Sequence, residues 1–279
     1  MFRSRSAVSR VLSQGRLAYV AIDVGRGPLV TPVLYGALGD DLWFVTNRHA
    51  LKAKVLCRRP TAGWVVPAAD SAVVATGEAQ LFSLSDPRAA LARVALLRHA
   101  PTALASWAVR NPRQVAGFLG DSVTSPRRAL PQDIVIVRLR PTTSTVVPLP
   151  EPGPDADVSP LVTAGLPALL AHLPASPSGV LGLLMPSGPV AVPVAWDGTT
   201  ATLPDGLDDL VDGAGEAACL TFDDPVRTRP TQQRGVVLRG AARAEVGTST
   251  RWALTPRRMT YWDGFDTGTV ALVGDRVTI

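Results

Sequence analysis

Lysine and cysteine are both scarce in this chain of 279 residues. Only two of its 28 basic residues are lysines, Lys52 and Lys54, and both lie in one stretch of twelve residues, FVTNRHALKAKV. A preference for arginine explains the scarcity in part, but it does not explain the clustering. Two cysteines, Cys57 and Cys219, are too few for a disulfide framework and lack metal-ligand spacing. We therefore expect two buried thiols and no metal site.

Long apolar runs and aromatic clusters are missing as well. No window approaches the roughly 18 uninterrupted apolar residues that a transmembrane helix needs. The amino-terminal segment has no continuous apolar stretch of the kind found in signal peptides. The basic residues behind the net charge of +5 are scattered, and the three Tyr and six Phe form no stacking motif for nucleic acid. We predict a cytoplasmic protein that binds neither membranes nor nucleic acid.

The chain does contain a pattern of short apolar segments that occurs twice. In GPLVTPVLYG and in GPVAVPVAWDG, Gly-Pro is followed by three residues and then by Pro-Val. Further segments match in the same order along both halves. The matched pairs are 17–23 and 179–185, 27–36 and 188–198, 41–46 and 199–204, 72–81 and 235–246, and 134–147 and 249–262. A repeat of this kind indicates two structural units of one type.

Each unit has the pattern of an antiparallel β domain. Its segments are rich in Val, Leu and Ile and are bounded by Gly, Pro, Asp and Asn, which is typical of strands that close into a small barrel. We predict a mainly β protein with α additions (α+β), made of two tandem barrels. The expected ranges are 1–150 for copy one, 151–160 for a linker, 161–279 for copy two and about 85–125 for a helical insert in copy one. We expect two helices in the insert, the first at 85–100, and a short amphipathic helix near 160–173.

A motif in copy one carries a family resemblance. The segment TNRHALK, 46–52, follows the Pro-Val strand and precedes the strand VVATGEAQLF. This succession resembles the FMN-binding split-barrel family, whose best-known member is pyridoxamine 5'-phosphate oxidase. In that family Thr-Asn-x-x-Ser-x-Lys holds the FMN phosphate, which maps onto Thr46, Asn47 and Lys52. Ala50 and Leu51 stand where the oxidase has Ser and Arg, and Arg48 would supply the missing cation.

The residue types of this motif also suit a phosphate on chemical grounds. A phosphate takes hydroxyl and N–H donors together with one or two cations. The segment from about 49 to 57 is predicted to begin a helix whose first N–H groups face the anion. The alternative is a basic amphipathic helix on the surface. Copy two has four aspartates in the matching stretch, 202–215, which would repel a phosphate, so we predict one phosphate site per chain.

The resemblance also implies how the two copies share a site. Family members are usually homodimers with FMN in a cleft between subunits, so the tandem copies would form an intrachain pseudo-dimer. PRRMTYWDG, 256–264, is similar to the oxidase's carboxy-terminal motif and would place Trp262 beside the flavin. Arg234 matches the Arg of the family's Arg-Gln-Val strand, with the Gln displaced to Gln233 and Gly235 in its place. The alternatives are a packed aromatic side chain for Trp262 and a solvated strand residue for Gln233.

The function that the resemblance implies is that of an FMN-dependent oxidoreductase. Hydride would pass to or from flavin N5, and the substrate would be a small molecule of unknown identity. The stretch FDTGTV after the Trp motif lacks the Arg and His with which the oxidase holds its substrate, so a true pyridoxamine phosphate oxidase is not predicted. No catalytic residue is assigned, because in such enzymes the flavin carries the redox chemistry.

Two alternative functions stay open at this level. The first is a deazaflavin-dependent reductase, whose longer anionic coenzyme would use additional basic residues: Arg58, Arg59, Arg127 and Arg128. The second is a non-catalytic module that binds flavin or haem, for which His49 would be the axial ligand. Whether the chain is a monomer or pairs again also stays open.

Overall fold

The computed structural model describes residues 2–83, 94–124, 134–151, 166–224, 232–245, 248, 250–264, 266–273 and 276–277. In copy one the helices are α1 (Phe2–Gln14), α2 (Leu51–Arg58), α3 (Val94–Arg110) and α4 (Pro112–Thr124). Its strands are β1 (Leu17–Asp23), β2 (Pro28–Leu38), β3 (Asp41–Asn47), β4 (Thr61–Pro67), β5 (Ser71–Ser83) and β6 (Ile134–Pro148). The described part of copy two contains one short α-helix, α5 (Asp208–Val211). Its strands are β7 (Ser178–Met185), β8 (Gly188–Trp196), β9 (Thr200–Thr202), β10 (Ala217–Asp223), β11 (Arg234–Ala244), β12 (Arg251–Asp263), β13 (Asp266–Val273) and β14 (Arg276–Val277).

The two copies have the same strand order. Copy one is a closed barrel in the order β1-β2-β3-β6-β5-β4. Copy two runs β7-β8-β9-β12-β11-β10, and the pairing of β10 with β7 closes its ring. β13 and β14 extend its sheet beyond β12. Each strand of the second ring is the sixth strand after its counterpart in the first ring. This shared order confirms the predicted fold of two tandem barrels.

A backbone irregularity recurs at the same place in both barrels. The strand register shifts at Gly77 in β5 and at Gly240 in β11, as expected for a β-bulge. A Cβ at either glycine would come within 2.0 Å of a carbonyl oxygen on the facing strand. The bulge therefore needs glycine in both copies, because only a residue without a side chain allows so close an approach.

The barrels pack directly against each other. β4 of the first lies on β8 of the second, and β2 of the first lies on β10 of the second. Gly63 permits the first contact, since a Cβ there would lie 2.4 Å from the Pro189 carbonyl oxygen. The Thr221 hydroxyl donates a hydrogen bond of 3.0 Å to the Val30 carbonyl across the second contact. One cluster of buried apolar side chains runs through both copies, so the pair forms a single packed unit.

The helical insert lies on β2. The break between its two helices falls at a later residue than predicted. The first helix continues through Pro101 to Arg110, and the break falls at Asn111, whose carbonyl accepts a hydrogen bond of 2.9 Å from the Val115 N–H of α4. A proline removes one helical hydrogen bond, but contacts with β2 hold α3 continuous. Pro112 then begins α4, a position that proline favours. The predicted start near residue 85 lies outside the described residues.

Other predictions are corrected in part. Cys57 is exposed rather than buried, whereas Cys219 is buried as expected. The described part of 160–173 contains a 3₁₀ turn, Ala168–Leu170, and not an α-helix. Apart from Glu151, the predicted linker lies outside the described residues. No helix in the described ranges has both the length and the apolar character to cross a membrane.

Candidate functional site

A cavity of about 740 Å³ lies where the two barrels meet. Barrel one contributes β2, the end of β3, the start of α2, the helical insert and the start of β6, and barrel two contributes β11, β12 and β13. Most of the lining is apolar. The lining residues are Leu29, Thr31, Pro32, Val33, Leu34, Val45, Thr46, Asn47, Lys52, Leu104, Trp107, Val115, Ile134, Ile136, Gln233, Val237, Thr260, Tyr261, Trp262, Gly264 and Thr267. The volume is within the range of about 300–1,000 Å³ that is typical of ligand pockets.

One part of the wall is built by the turn from β3 into α2. The side-chain oxygen of Asn47 accepts a hydrogen bond of 2.7 Å from the His49 backbone N–H. The Asn47 carbonyl accepts another, of 3.0 Å, from the backbone N–H of Ala50. These bonds fix the chain direction at the end of β3, so that α2 begins at Leu51 and Lys52 lies in its first turn. Thr46, Asn47 and Lys52 therefore all reach the cavity.

Lys52 is the charged group of this wall. Its side chain is half-buried and closely surrounded by protein atoms, so burial lowers the pKa of its ammonium group to about 8. No ion pair of Lys52 occurs among the described residues. A cation held in such surroundings without a carboxylate is stabilised when an anion enters.

Barrel two contributes an aromatic wall whose shape depends on glycine. Trp262 of β12 faces Gly235 of β11, and a Cβ at Gly235 would lie 1.9 Å from the indole ring. Tyr261 packs in the same way over Gly268 of β13. Because the indole ring occupies the space that a Cβ at position 235 would need, this position requires glycine. Both aromatic side chains line the cavity.

The structure brings five of the seven predicted cofactor residues together: Thr46, Asn47, Lys52, Gln233 and Trp262 all line the cavity. Arg48 does not, because it is exposed on the turn before α2. Arg234 also lies outside the lining. Its Nε donates to the Asp263 carboxylate at 2.8 Å, next to Trp262 in the chain. Arg234 therefore holds the neighbour of Trp262 in β12 and does not itself line the cavity.

The described residues among those raised by the alternative functions lie away from the cavity. His49 is exposed and is not among the lining residues. Arg59 pairs with Asp23. Arg58 is exposed and does not line the cavity, and Arg127 and Arg128 lie outside the described residues. In the described part of the chain, no group of three or more His, Cys, Asp or Glu side chains could hold a metal ion.

Sequence reasoning missed two kinds of lining residue. Thr31 lies within β2, and its buried hydroxyl has no hydrogen-bond partner among the described residues. A signal for it was present, because Thr31 stands where the matching GPVAVPV segment has Val192. Leu104, Trp107 and Val115 of the insert were also missed, since nothing in an amphipathic helix pattern says which cavity its apolar side covers.

The cavity fits an FMN molecule on two observations. Lys52 is a half-buried cation with no ion pair among the described residues, as a phosphate site requires. The Thr31 hydroxyl is a buried polar group without a partner, and a ligand atom that reached it would remove a cost of about 1–3 kcal/mol. The large apolar remainder of the wall suits a flat ring system.

Comparison with known proteins gives matches among solved structures only. No family model matches the chain, and no curated protein does. An FMN-binding protein of Nostoc punctiforme related to pyridoxamine 5'-phosphate oxidase is 19% identical, with 52% of this chain and 83% of that chain covered and a TM-score of 0.36. A FAD-binding protein of Mesorhizobium loti is 18% identical (51% and 93% covered, TM-score 0.36), and General Stress Protein 26 of Bacillus anthracis is 10% identical (51% and 92% covered, TM-score 0.35).

Proposed function

We propose that this chain is a flavoprotein that binds one FMN in the cavity between its barrels and acts as an oxidoreductase. The observation that carries the proposal is the meeting of Thr46, Asn47 and Lys52 from barrel one with Gln233 and Trp262 from barrel two. The family resemblance named these five among seven residues, and the group from barrel one is far from the group from barrel two in the sequence.

The roles of these residues follow from their chemistry. Lys52 would pair with the phosphate, Thr46 and Asn47 would donate hydrogen bonds to it, and Trp262 would flank the ring system. When bound, FMN supplies hydride transfer at N5, and the protein positions it and keeps water away. No acid–base residue is assigned a catalytic role.

The proposal is tested with the purified full chain. The protein is mixed with excess FMN and desalted, its visible spectrum is recorded, and NADH or NADPH is then added under anaerobic conditions. Retained flavin whose absorbance is bleached by either reductant supports a flavin-dependent oxidoreductase. Folded protein that retains no FMN contradicts the proposal. Retained flavin that neither these reductants nor dithionite can reduce contradicts the redox role alone.

Deazaflavin and haem serve as comparison ligands in the same experiment. Each is offered to the empty protein and desalted in the same way. FMN should be retained in preference to both, because the described lining holds one cation and no histidine. Preferential retention of the deazaflavin coenzyme or of haem would replace FMN in this account.

A further inference from the structure

The chemistry of the cavity wall limits what can bind beside the cofactor. Lys52 is the only lining side chain in the described part of the chain that carries a charge at neutral pH. The other polar groups of the described lining are hydroxyls, amides and indole N–H groups, and no Asp, Glu, Arg or His is among them. If the FMN phosphate occupies Lys52, no charged side chain is left for a second ligand.

The described part of the helical insert contributes only apolar and aromatic side chains to this wall. They are Leu104 and Trp107 of α3 and Val115 of α4. The Trp107 indole N–H donates to the Leu34 carbonyl at 3.2 Å, so its polar atom is already in use. What Trp107 can offer a ligand is therefore its aromatic surface.

The insert is fastened to the barrel at several points, so this wall has a fixed shape. The Ser106 hydroxyl donates to the Ala37 carbonyl at 3.1 Å, and the Asn111 amide donates to the Tyr35 carbonyl at 3.2 Å. Arg110 donates to two carbonyls at the end of α1, each at 2.6 Å. At Gly36, a Cβ would lie 2.8 Å from the backbone of α3, which shows how closely the helix lies on β2.

We propose that the insert forms the substrate wall and that the site takes an uncharged, flat aromatic molecule as its second ligand, an inference that rests on the proposed binding of FMN. A charged molecule would lose its hydration here without gaining an ion pair. An aromatic ring would bury apolar surface against Leu104 and Val115 and pack against Trp107.

The test compares two probes that share a ring and differ in charge. 2-Naphthol is neutral at pH 7 and 2-naphthoate is an anion, and neither reacts with oxidised flavin. Each is titrated into the FMN-loaded protein by calorimetry, so that the readout is a dissociation constant and not an activity. 2-Naphthol should bind at least about tenfold more tightly than 2-naphthoate, because the anion would lose hydration without an ion pair.

Three variants locate the binding site. Trp107→Ala should weaken 2-naphthol binding by about tenfold, the effect of one lost aromatic contact. Val109→Ala is the matched control, because Val109 lies on the same helix but is 79% exposed and does not line the cavity. Val115→Lys should reverse the preference in favour of 2-naphthoate, and it remains informative if Trp107→Ala does not fold.

The outcomes separate this inference from the proposed function. Protein that retains FMN but binds 2-naphthoate as tightly as 2-naphthol contradicts the inference alone. Equal effects of Trp107→Ala and Val109→Ala, an unchanged preference in Val115→Lys, or no binding of either probe would also contradict it. Protein that retains no FMN contradicts the proposed function, and this inference falls with it.

Discussion

The two barrels share one backbone plan but differ in chemistry at matching positions. Thr31 on β2 corresponds to Val192 on β8 in the shared Gly-Pro-x-x-x-Pro-Val pattern, and Val192 is fully buried. Lys52 lies in the first turn of α2, whereas the first turn of α5, at the same place in the strand order of barrel two, contains Asp208 and Asp209. Barrel one thus offers a hydroxyl and a cation where barrel two offers a methyl group and carboxylates.

The aromatic wall shows the opposite division. Trp262 on β12 corresponds to Val147 on β6, which is 3% exposed within the common core. The residue facing Trp262 is Gly235, whereas Ala72 faces Val147. At this pair of positions, glycine is needed only in barrel two, where the indole ring must fit. Each barrel therefore carries one half of a single site, and the strand order and the bulge glycines are what the copies have in common.

The largest effect is expected at Lys52, a cation in α2, because the matching helix of barrel two carries carboxylates instead. Lys52→Ala should raise the dissociation constant for FMN by about 10- to 150-fold, because a hydrogen bond to a charged group contributes about 1.5–3 kcal/mol. Asp208→Ala, in the matching helix of barrel two, should leave it unchanged. Fluorescence titration of FMN measures both. Equal losses of FMN affinity in the two variants would contradict the claim that only barrel one contributes a phosphate-binding charge.

The pairing of Gly235 with Trp262 can be tested by a double-mutant cycle. Gly235→Ala should lower the free energy of unfolding by about 1–3 kcal/mol, because the new Cβ overlaps the indole ring. In a Trp262→Ala background the same change should cost little, since the ring is gone. Urea unfolding of the four proteins measures the coupling. Additive effects would mean that the ring does not require the glycine.

The lowered pKa of Lys52 predicts a pH dependence of FMN binding. In the free protein this pKa is about 8, and a bound phosphate would raise it. Binding above pH 8 must then add a proton to Lys52, so the affinity falls as the pH rises from 8, by at most about tenfold per pH unit. Lys52→Met should bind more weakly at pH 7 and show no such fall. The dissociation constant measured from pH 7 to 10 decides the matter.

The same pKa predicts how the stability of the empty protein changes with pH. Lys52 has an ordinary pKa of 10.5 and a folded value of about 8, so the unfolded chain binds more protons between these values. Stability of the unmutated protein should therefore rise with pH across this window. Lys52→Met should be more stable at pH 7 by on the order of 1 kcal/mol, and the difference should shrink toward pH 10. A difference that stays constant with pH would contradict the burial of a charged amine.

The smallest effect is expected for the ion pair between Arg234 and Asp263, which lies next to Trp262 in the chain. Arg234→Ala removes the ion pair with Asp263 and should weaken FMN binding by about two- to fivefold, since partly exposed pairs contribute less than about 1 kcal/mol. Arg243→Ala is the control, because its pair with Glu216 lies on the surface of the same barrel. Titration of both variants with FMN makes the comparison, and indistinguishable dissociation constants would remove Arg234 from the support of Trp262.

The fold was predictable because the repeat carries strong local signals. The Gly-Pro and Pro-Val pairs mark β2 and β8, and the matched apolar runs mark the other strands. The bulges at Gly77 and Gly240 were not predicted, because a glycine within a strand does not reveal which carbonyl approaches it. The helix break in the insert was also misplaced. Pro101 favours a break there, but contacts with β2 outweigh it, and such contacts cannot be read from a single segment.

The site was predictable only in part, for a related reason. Lys52 and Trp262 belong to motifs, and motifs place residues along the chain. The exposure of Arg48 and the contact between Arg234 and Asp263 depend on where the β3–α2 turn and β12 lie in space. Trp107 reaches the cavity because α3 crosses β2 at Gly36, which is a fact of packing.

The number of FMN molecules bound per chain tests the central claim most directly. Stoichiometric titration of the purified protein, with free and bound FMN separated, gives this number. We expect one FMN molecule per chain, because Lys52 and the aromatic wall occur together only once among the described residues. Two FMN molecules per chain would contradict a single site shared between the two barrels. One FMN molecule that still binds in Lys52→Ala but is lost in Asp208→Ala would contradict the assignment of the phosphate to barrel one.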